Sequence, residues 1–259
     1  MQSSKTVSSF SLNRVKLLAM RFFLLNQKTW LVGLLGIAAL LFTMWLIPVI
    51  ITSGDSVPSF SMLLQGPAML AYVVGGLAIT SRIFHEVHSP TTCYQFLTLP
   101  ATTFEKFGAA WFVTTIGYTL SAMLAIVLLS FSVEVLSALI KGSWAQFSLF
   151  NPLQADVLKS ISNYLMYQSI FMLGAIYFVK NNFLKTVLAY ILIVIGVLIT
   201  VRLVLLIFGL SYQGDVSFNV QLEGISWLVP ESLQFVAWFI FSIILLLLTY
   251  LQLKRTQVA

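Results

Sequence analysis

The sequence predicts an all-α integral membrane protein: six transmembrane helices preceded by an amphipathic helix at the membrane interface. Composition, the lengths of the apolar runs and the placement of basic residues predict it. Of the 259 residues, 59% are hydrophobic and only 8% are charged, and the mean hydropathy is +0.97. Soluble domains carry about 25% charged residues. A chain this poor in charge can shelter its apolar surface in lipid, which is itself an apolar solvent.

Six apolar runs are long enough to cross a bilayer, whose hydrocarbon core takes about 20 helical residues. They cover residues 30–51, 62–84, 107–131, 161–179, 186–210 and 227–253. Residues 29–259 are therefore expected to form one transmembrane domain. Residues 1–28 form a cytoplasmic N-terminal segment that contains the amphipathic helix.

Basic residues lie mostly in the connecting segments on one side of the predicted membrane domain. With the N-terminus inside, eleven of the 14 lysines and arginines lie in inner segments, and three lie outside: Lys141, Lys159 and Arg202. Loops rich in lysine and arginine stay in the cytoplasm. We therefore expect both termini to be cytoplasmic. The net charge of +6 then reflects topology and contacts with lipid headgroups, and no nucleic-acid partner is expected.

The basic residues of segment 11–28 repeat every seven positions, at Arg14, Arg21 and Lys28. This spacing aligns them in one stripe beside a broad apolar face. Such a helix can lie in the headgroup plane and contact membrane lipids. The alternative is a helix that leads straight into the first span.

Catalytic motifs are missing from the sequence. It contains no GxxxxGK[ST] phosphate-binding loop, no HExxH, no GxSxG and no CxxC, so we assign no catalytic, cofactor-binding or metal-binding residues and do not expect an enzyme. His85 and His88, three residues apart in HEVH, could share a metal. Together with Glu86 they do not complete a zinc shell, and we interpret them as a polar cap on the second span.

Residues 85–106 form the longest connection predicted to be cytoplasmic. Between Pro90 and Pro100 this loop carries four apolar residues where water or headgroups are expected: Tyr94, Phe96, Leu97 and Leu99. Exposed anchors of this kind suit docking of a protein partner. The alternative is a loop that lies on the membrane surface. Thr102 followed by Glu105 is a capping-box pattern and predicts the start of the third span's helix.

Two charged residues lie near the outer ends of the last two spans. Arg202 is about 25 Å along its helix from Lys185, where a long side chain can reach the interface. A place in a substrate pathway is the alternative. Glu231 follows Pro230 in the first turn of the sixth span, where a carboxylate suits the helix dipole. A gate, or an ion pair with Arg202, is the alternative.

The order of these features resembles the permease subunits of type-2 ABC exporters. In that family an amphipathic connecting helix precedes six spans, and the loop between the second and third spans couples to an ATPase. Residues 81–107 are also similar to a segment of bacterial permease-like proteins of the Bacteroidetes type, with serine more usual at Thr102. The matching residues are Phe84, Glu86, His88, Tyr94, Leu99, Pro100, Ala101, Glu105, Lys106 and Phe107.

The resemblance implies a bacterial inner-membrane exporter subunit for an amphiphilic or hydrophobic substrate. Its partners would be a cytosolic ATP-binding cassette ATPase and a second permease subunit, in a homo- or heterodimer. Residues 211–230 occupy the place of the family's external segment. The implied coupling loop contains His85, Glu86, His88, Tyr94, Phe96, Leu97, Leu99, Pro100 and Glu105. The alternatives are a non-transporting scaffold or assembly factor, and an enzyme acting on lipid, for which we find no polar cluster at one membrane depth.

Overall fold

Helices make up almost all of the protein in a computed structural model, which describes residues 10–51, 58–88, 93–141, 149–207 and 231–258. No strand occurs in these ranges, which confirms the all-α prediction. Within these ranges the structure contains ten α-helices and one π-helical turn.

The first helix, α1, runs without interruption from Leu12 to Ile51. Its 40 residues span about 60 Å, twice the roughly 30 Å of a hydrocarbon core. The predicted boundary near residue 28 is absent, because the stretch from Asn26 to Thr29 contains neither the glycine nor the proline that would end a helix. The structure thus shows the alternative, a helix that continues into the first span.

The second and third spans are built from several helices in sequence. The second contains α2 and α3, and α4 and α5 lie between it and α6. A π-helical turn joins α6 to α7. The bounds are α2 Phe60–Leu63, α3 Gln65–Arg82, α4 His85–His88, α5 Cys93–Leu97, α6 Thr103–Phe112, the π turn Val113–Gly117 and α7 Tyr118–Lys141.

The remaining helices are α8 Ala155–Tyr177, α9 Asn182–Ile207 and α10 Glu231–Val258. Among the described residues, five helical stretches are long and apolar enough to cross a membrane. They lie in α1, in α3 with α4, in α6 with α7, in α9 and in α10. These helices make the chain a multi-pass membrane protein. The helix at the predicted fourth span, α8, is not one of the five.

One face of α8 is buried in the bundle and carries polar side chains. It packs against α3, α9 and α10, and Tyr164, Gln168 and Met172 on it are buried. The side of α8 that faces protein does not need the apolar surface that lipid demands, and its polar groups can find partners inside the bundle. The opposite side, which includes Leu158 and Leu165, is exposed.

Polar side chains of α8 form hydrogen bonds with the π turn of the third span. The Tyr164 hydroxyl donates to the Thr114 carbonyl in the π turn at 2.7 Å. Gln168 Nε2 lies 2.7 Å from Thr114 Oγ1 and 2.8 Å from Thr115 Oγ1. A π turn disturbs the regular ladder of backbone hydrogen bonds, so these side chains fix the junction of α6 and α7.

Three tyrosines fill the centre of the bundle against one glycine of α3. The rings of Tyr72, Tyr118 and Tyr164 lie 5.2–5.7 Å apart, centroid to centroid. A Cβ atom on Gly76 would lie 2.6 Å from Tyr118 Cε1 and 2.8 Å from Tyr164 Cζ. Since real Cβ atoms essentially never approach neighbours this closely, any larger residue at this position would force the rings of Tyr118 and Tyr164 to shift.

Candidate functional site

The N-terminal half of α1 meets the segment between α3 and α7 at a charged contact, here called the α1–α6 junction. It comprises Arg14 and Arg21 of α1, Glu86 of α4, and Glu105 and Lys106 of α6. Beneath it lies a buried apolar cluster that includes Leu18, Phe22, Phe84, Phe96, Met172 and Leu253. The charged residues thus rest on packed protein.

Glu105 is the centre of the α1–α6 junction. Its carboxylate accepts from the Thr102 N–H at 2.8 Å, and its own N–H donates to Thr102 Oγ1 at 3.3 Å, which confirms the predicted capping box. The same carboxylate accepts from the Ser11 N–H at 2.8 Å and from Arg14 at 2.9 Å and 3.0 Å. The Glu105 side chain is fully buried, so these donors replace its hydration.

A second ion pair lies farther along α1. Arg21 Nη1 donates to Glu86 Oε2 at 2.9 Å, and both side chains are about one-quarter exposed. Lys28, the third member of the predicted stripe, is exposed. Two of the three basic residues assigned to lipid headgroups therefore bind carboxylates of the 85–107 segment.

Lys106 fastens the C-terminal end of α5. Its Nζ donates to the carbonyls of Phe96 at 2.8 Å and Leu97 at 3.4 Å, and it lies 5.0 Å from the centroid of the Phe96 ring. A cation at a helix C-terminus is stabilised by the helix dipole. The backbone of α5 is therefore held against the start of α6.

The four predicted docking anchors do not all face outwards. Phe96 is only 1% exposed and packs on Phe22 at 6.4 Å between ring centroids. Leu99 is half-buried against the same cluster. Tyr94 is 78% exposed and Leu97 39%, and Pro100 is also exposed. Phe96 anchors the segment from within, and the exposed surface reduces to Tyr94, Leu97 and Pro100, here called the Tyr94 surface.

The two histidines of HEVH occupy different surroundings. His88 Nε2 lies 3.1 Å from the Ala175 carbonyl near the end of α8, whereas His85 is exposed. Among the described residues, no three His, Cys, Asp or Glu side chains lie close enough to hold a metal ion. His88 thus connects α4 to α8.

The predicted pathway residues lie far from this junction in sequence. Arg202 is exposed on α9. Glu231 begins α10, but its side chain lies outside the described residues, as does segment 211–230. The ion pair between Arg202 and Glu231 stays a prediction.

Sequence reasoning found Glu105, Glu86 and both arginines but missed how they pair. The partners are separated by 91 and 65 residues, and periodicity within one helix says nothing about contacts at such separations. One available signal was charge complementarity: two arginines lie in the N-terminal helix, and two carboxylates lie in one short loop.

Comparison with protein-family models, with curated proteins and with solved structures finds no match.

The pairing of Arg14 with Glu105 predicts a stability difference between two lost charges on α1. Arg14→Gln should lower the free energy of unfolding by about 1.5–3 kcal/mol, the contribution of a charge-assisted hydrogen bond. Lys16→Gln should change it by less than about 0.5 kcal/mol, as expected for a surface substitution, because Lys16 is exposed and forms no ion pair with any described residue. Thermal unfolding of the detergent-solubilised protein measures both. Equal losses would show that the pairing of Arg14 with Glu105 does not stabilise the fold.

Proposed function

We propose that this chain is the permease subunit of an ATP-driven transporter of the type-2 ABC exporter kind. It resides in the bacterial inner membrane, pairs with a second permease subunit and is energised by a separate cytosolic ATPase. Its cargo is an amphiphilic or hydrophobic substrate. The proposal is supported chiefly by the exposed Tyr94 surface, which lies on a stretch of chain that contacts both α1 and α6.

A coupling element must be rigid, because a flexible loop would absorb a push instead of passing it on. Within the described residues, α4 is attached to α1 by the pair of Arg21 with Glu86, and the start of α6 by the pair of Arg14 with Glu105. Lys106 and the buried Phe96 hold α5 from below. A partner pressing on Tyr94 would therefore displace helices and not merely bend a loop.

The same contacts give the displacement a route into the bilayer. The capping box of Thr102 and Glu105 fixes the start of α6 shortly after α5 ends at Leu97, and α6 continues through the π turn into α7. Arg14 and Arg21 connect the segment to α1 as well. A push at one point would thus move the first and third spans together, as alternating access requires.

The proposal includes six spans with both termini in the cytoplasm. The helix α8 supplies the sixth: its 23 residues extend about 35 Å, enough to cross the hydrocarbon core. The excess of lysine and arginine on the inner side supports the orientation. In this topology the Tyr94 surface faces the cytoplasm, where ATP is available.

Removing the Tyr94 side chain should weaken ATPase binding without unfolding the permease. Tyr94→Ala should lower affinity for the ATPase about thirtyfold, since an interface anchor contributes 2 kcal/mol or more and 1.4 kcal/mol is tenfold. Leu153→Ala is the control, because Leu153 is 76% exposed just before α8 begins, at the opposite end of that helix from Ala175, which contacts His88. Co-purification and substrate-dependent ATP hydrolysis measure the effect.

If Tyr94→Ala still co-purifies with the ATPase and supports substrate-dependent ATP hydrolysis at wild-type levels, the Tyr94 surface is not the coupling element. If no ATPase co-purifies with the unmutated chain, the transporter proposal fails and a non-transporting scaffold replaces it.

Two cysteine variants test the orientation. In a Cys93→Ser background, Tyr94→Cys should react with a membrane-impermeant maleimide only after right-side-out spheroplasts are permeabilised. Leu153→Cys, 76% exposed between the third and fourth spans, should react in intact spheroplasts. The reverse pattern would invert the topology.

A further inference from the structure

A cavity of about 500 Å³ lies between α1 and the helices α3 and α4. Its volume falls in the roughly 300–1,000 Å³ range of small-molecule sites. The two walls approach each other at both ends. Arg21 pairs with Glu86 at one end. At the other, Gly75 lies so near Ile37 that an added Cβ would be 3.5 Å from the Ile37 side chain.

The lining changes from polar to apolar along the length of the cavity. Asn26, Arg82, His85 and Glu86 line the end near the α1–α6 junction, and Leu34 and Ile37 line the end near Tyr118. Asn26 and Ile37 are about 16 Å apart along α1. A molecule with a polar head and one hydrocarbon chain matches both this length and this gradient.

The charges at the polar end favour an anionic head. Glu86 is neutralised by Arg21, whereas Arg82 is exposed and forms no ion pair with a described residue. A guanidinium binds carboxylate and phosphate oxygens through paired hydrogen bonds.

We infer that this cavity binds a single-chain amphiphile with an anionic phosphate or carboxylate headgroup. The headgroup lies on Arg82 and the chain lies along Trp30, Leu34 and Ile37. Binding does not require an ATPase; identifying the bound amphiphile as cargo rests on the proposed function. The amphiphile would come either from the surrounding membrane or from solution.

Gly33 offers a way to fill the cavity without disturbing the packing. It lines the cavity, and a Cβ added there meets no atom within 4 Å. Gly36, on the same helix, has the same open space but is not part of the lining. Both substitutions also remove a glycine, which disfavours helix, so neither is expected to unfold α1.

Native mass spectrometry of the full chain, released from detergent, tests the inference with oleoyl lysophosphatidate and its neutral analogue, oleoyl monoacylglycerol. The wild type should bind the anionic probe about tenfold more tightly than the neutral one. Gly33→Phe should weaken both by at least about tenfold, and Gly36→Phe should match the wild type. Arg82→Gln should bind both probes equally, while Lys28→Gln keeps the preference.

Equal affinity of the wild type for the two probes would overturn the anionic headgroup. If Gly33→Phe binds both probes as tightly as the wild type, the cavity is not the binding site. If Gly33→Phe aggregates, the test rests on Arg82→Gln, which is expected to fold because the Arg82 side chain is exposed. An anionic lipid already bound after purification identifies the membrane as the source, and binding seen only on addition identifies solution. ATPase co-purification is measured separately, so failure of the transporter proposal leaves these results distinct.

Discussion

The buried carboxylate of Glu105 is the constraint on which the organisation of this region depends. A carboxylate without water must be neutralised and hydrogen-bonded, or its burial costs several kcal/mol. Here the donors come from Ser11, Arg14 and Thr102, so satisfying one side chain brings the start of α1 to the start of α6. Lys106, next in sequence, then fixes the end of α5. The position of the Tyr94 surface follows from these two adjacent residues.

In the interior of the bundle, buried neutral polar groups are also hydrogen-bonded to one another. Tyr164 and Gln168 of α8 supply hydrogen bonds to Thr114 and Thr115 where the third span forms a π turn. These polar side chains on its buried face thus join α8 to the third span. Close packing at Gly76 brings α3 against it.

Features encoded locally could be predicted from the sequence, and features that depend on distant partners could not. The helices and the Thr102–Glu105 capping box follow from composition, hydrophobic runs and a three-residue spacing. The stripe of Arg14, Arg21 and Lys28 was correctly placed on one helix, but its carboxylate partners depend on the tertiary fold. Tyr94 and Phe96 are both aromatic and two residues apart, and only packing on Phe22 decides which faces inward. The cavity is a gap between helices and has no sequence pattern.

Hydrogen exchange in a Glu105→Gln variant tests most directly whether one carboxylate joins these segments. The account predicts amide exchange at least about tenfold faster, equivalent to 1.4 kcal/mol of lost local stability. The increase should occur both in the first turns of α1 and in α5 and the start of α6, two regions some 90 residues apart, while α9 stays unchanged. Faster exchange confined to the first turn of α6, with α1 unaffected, would contradict it.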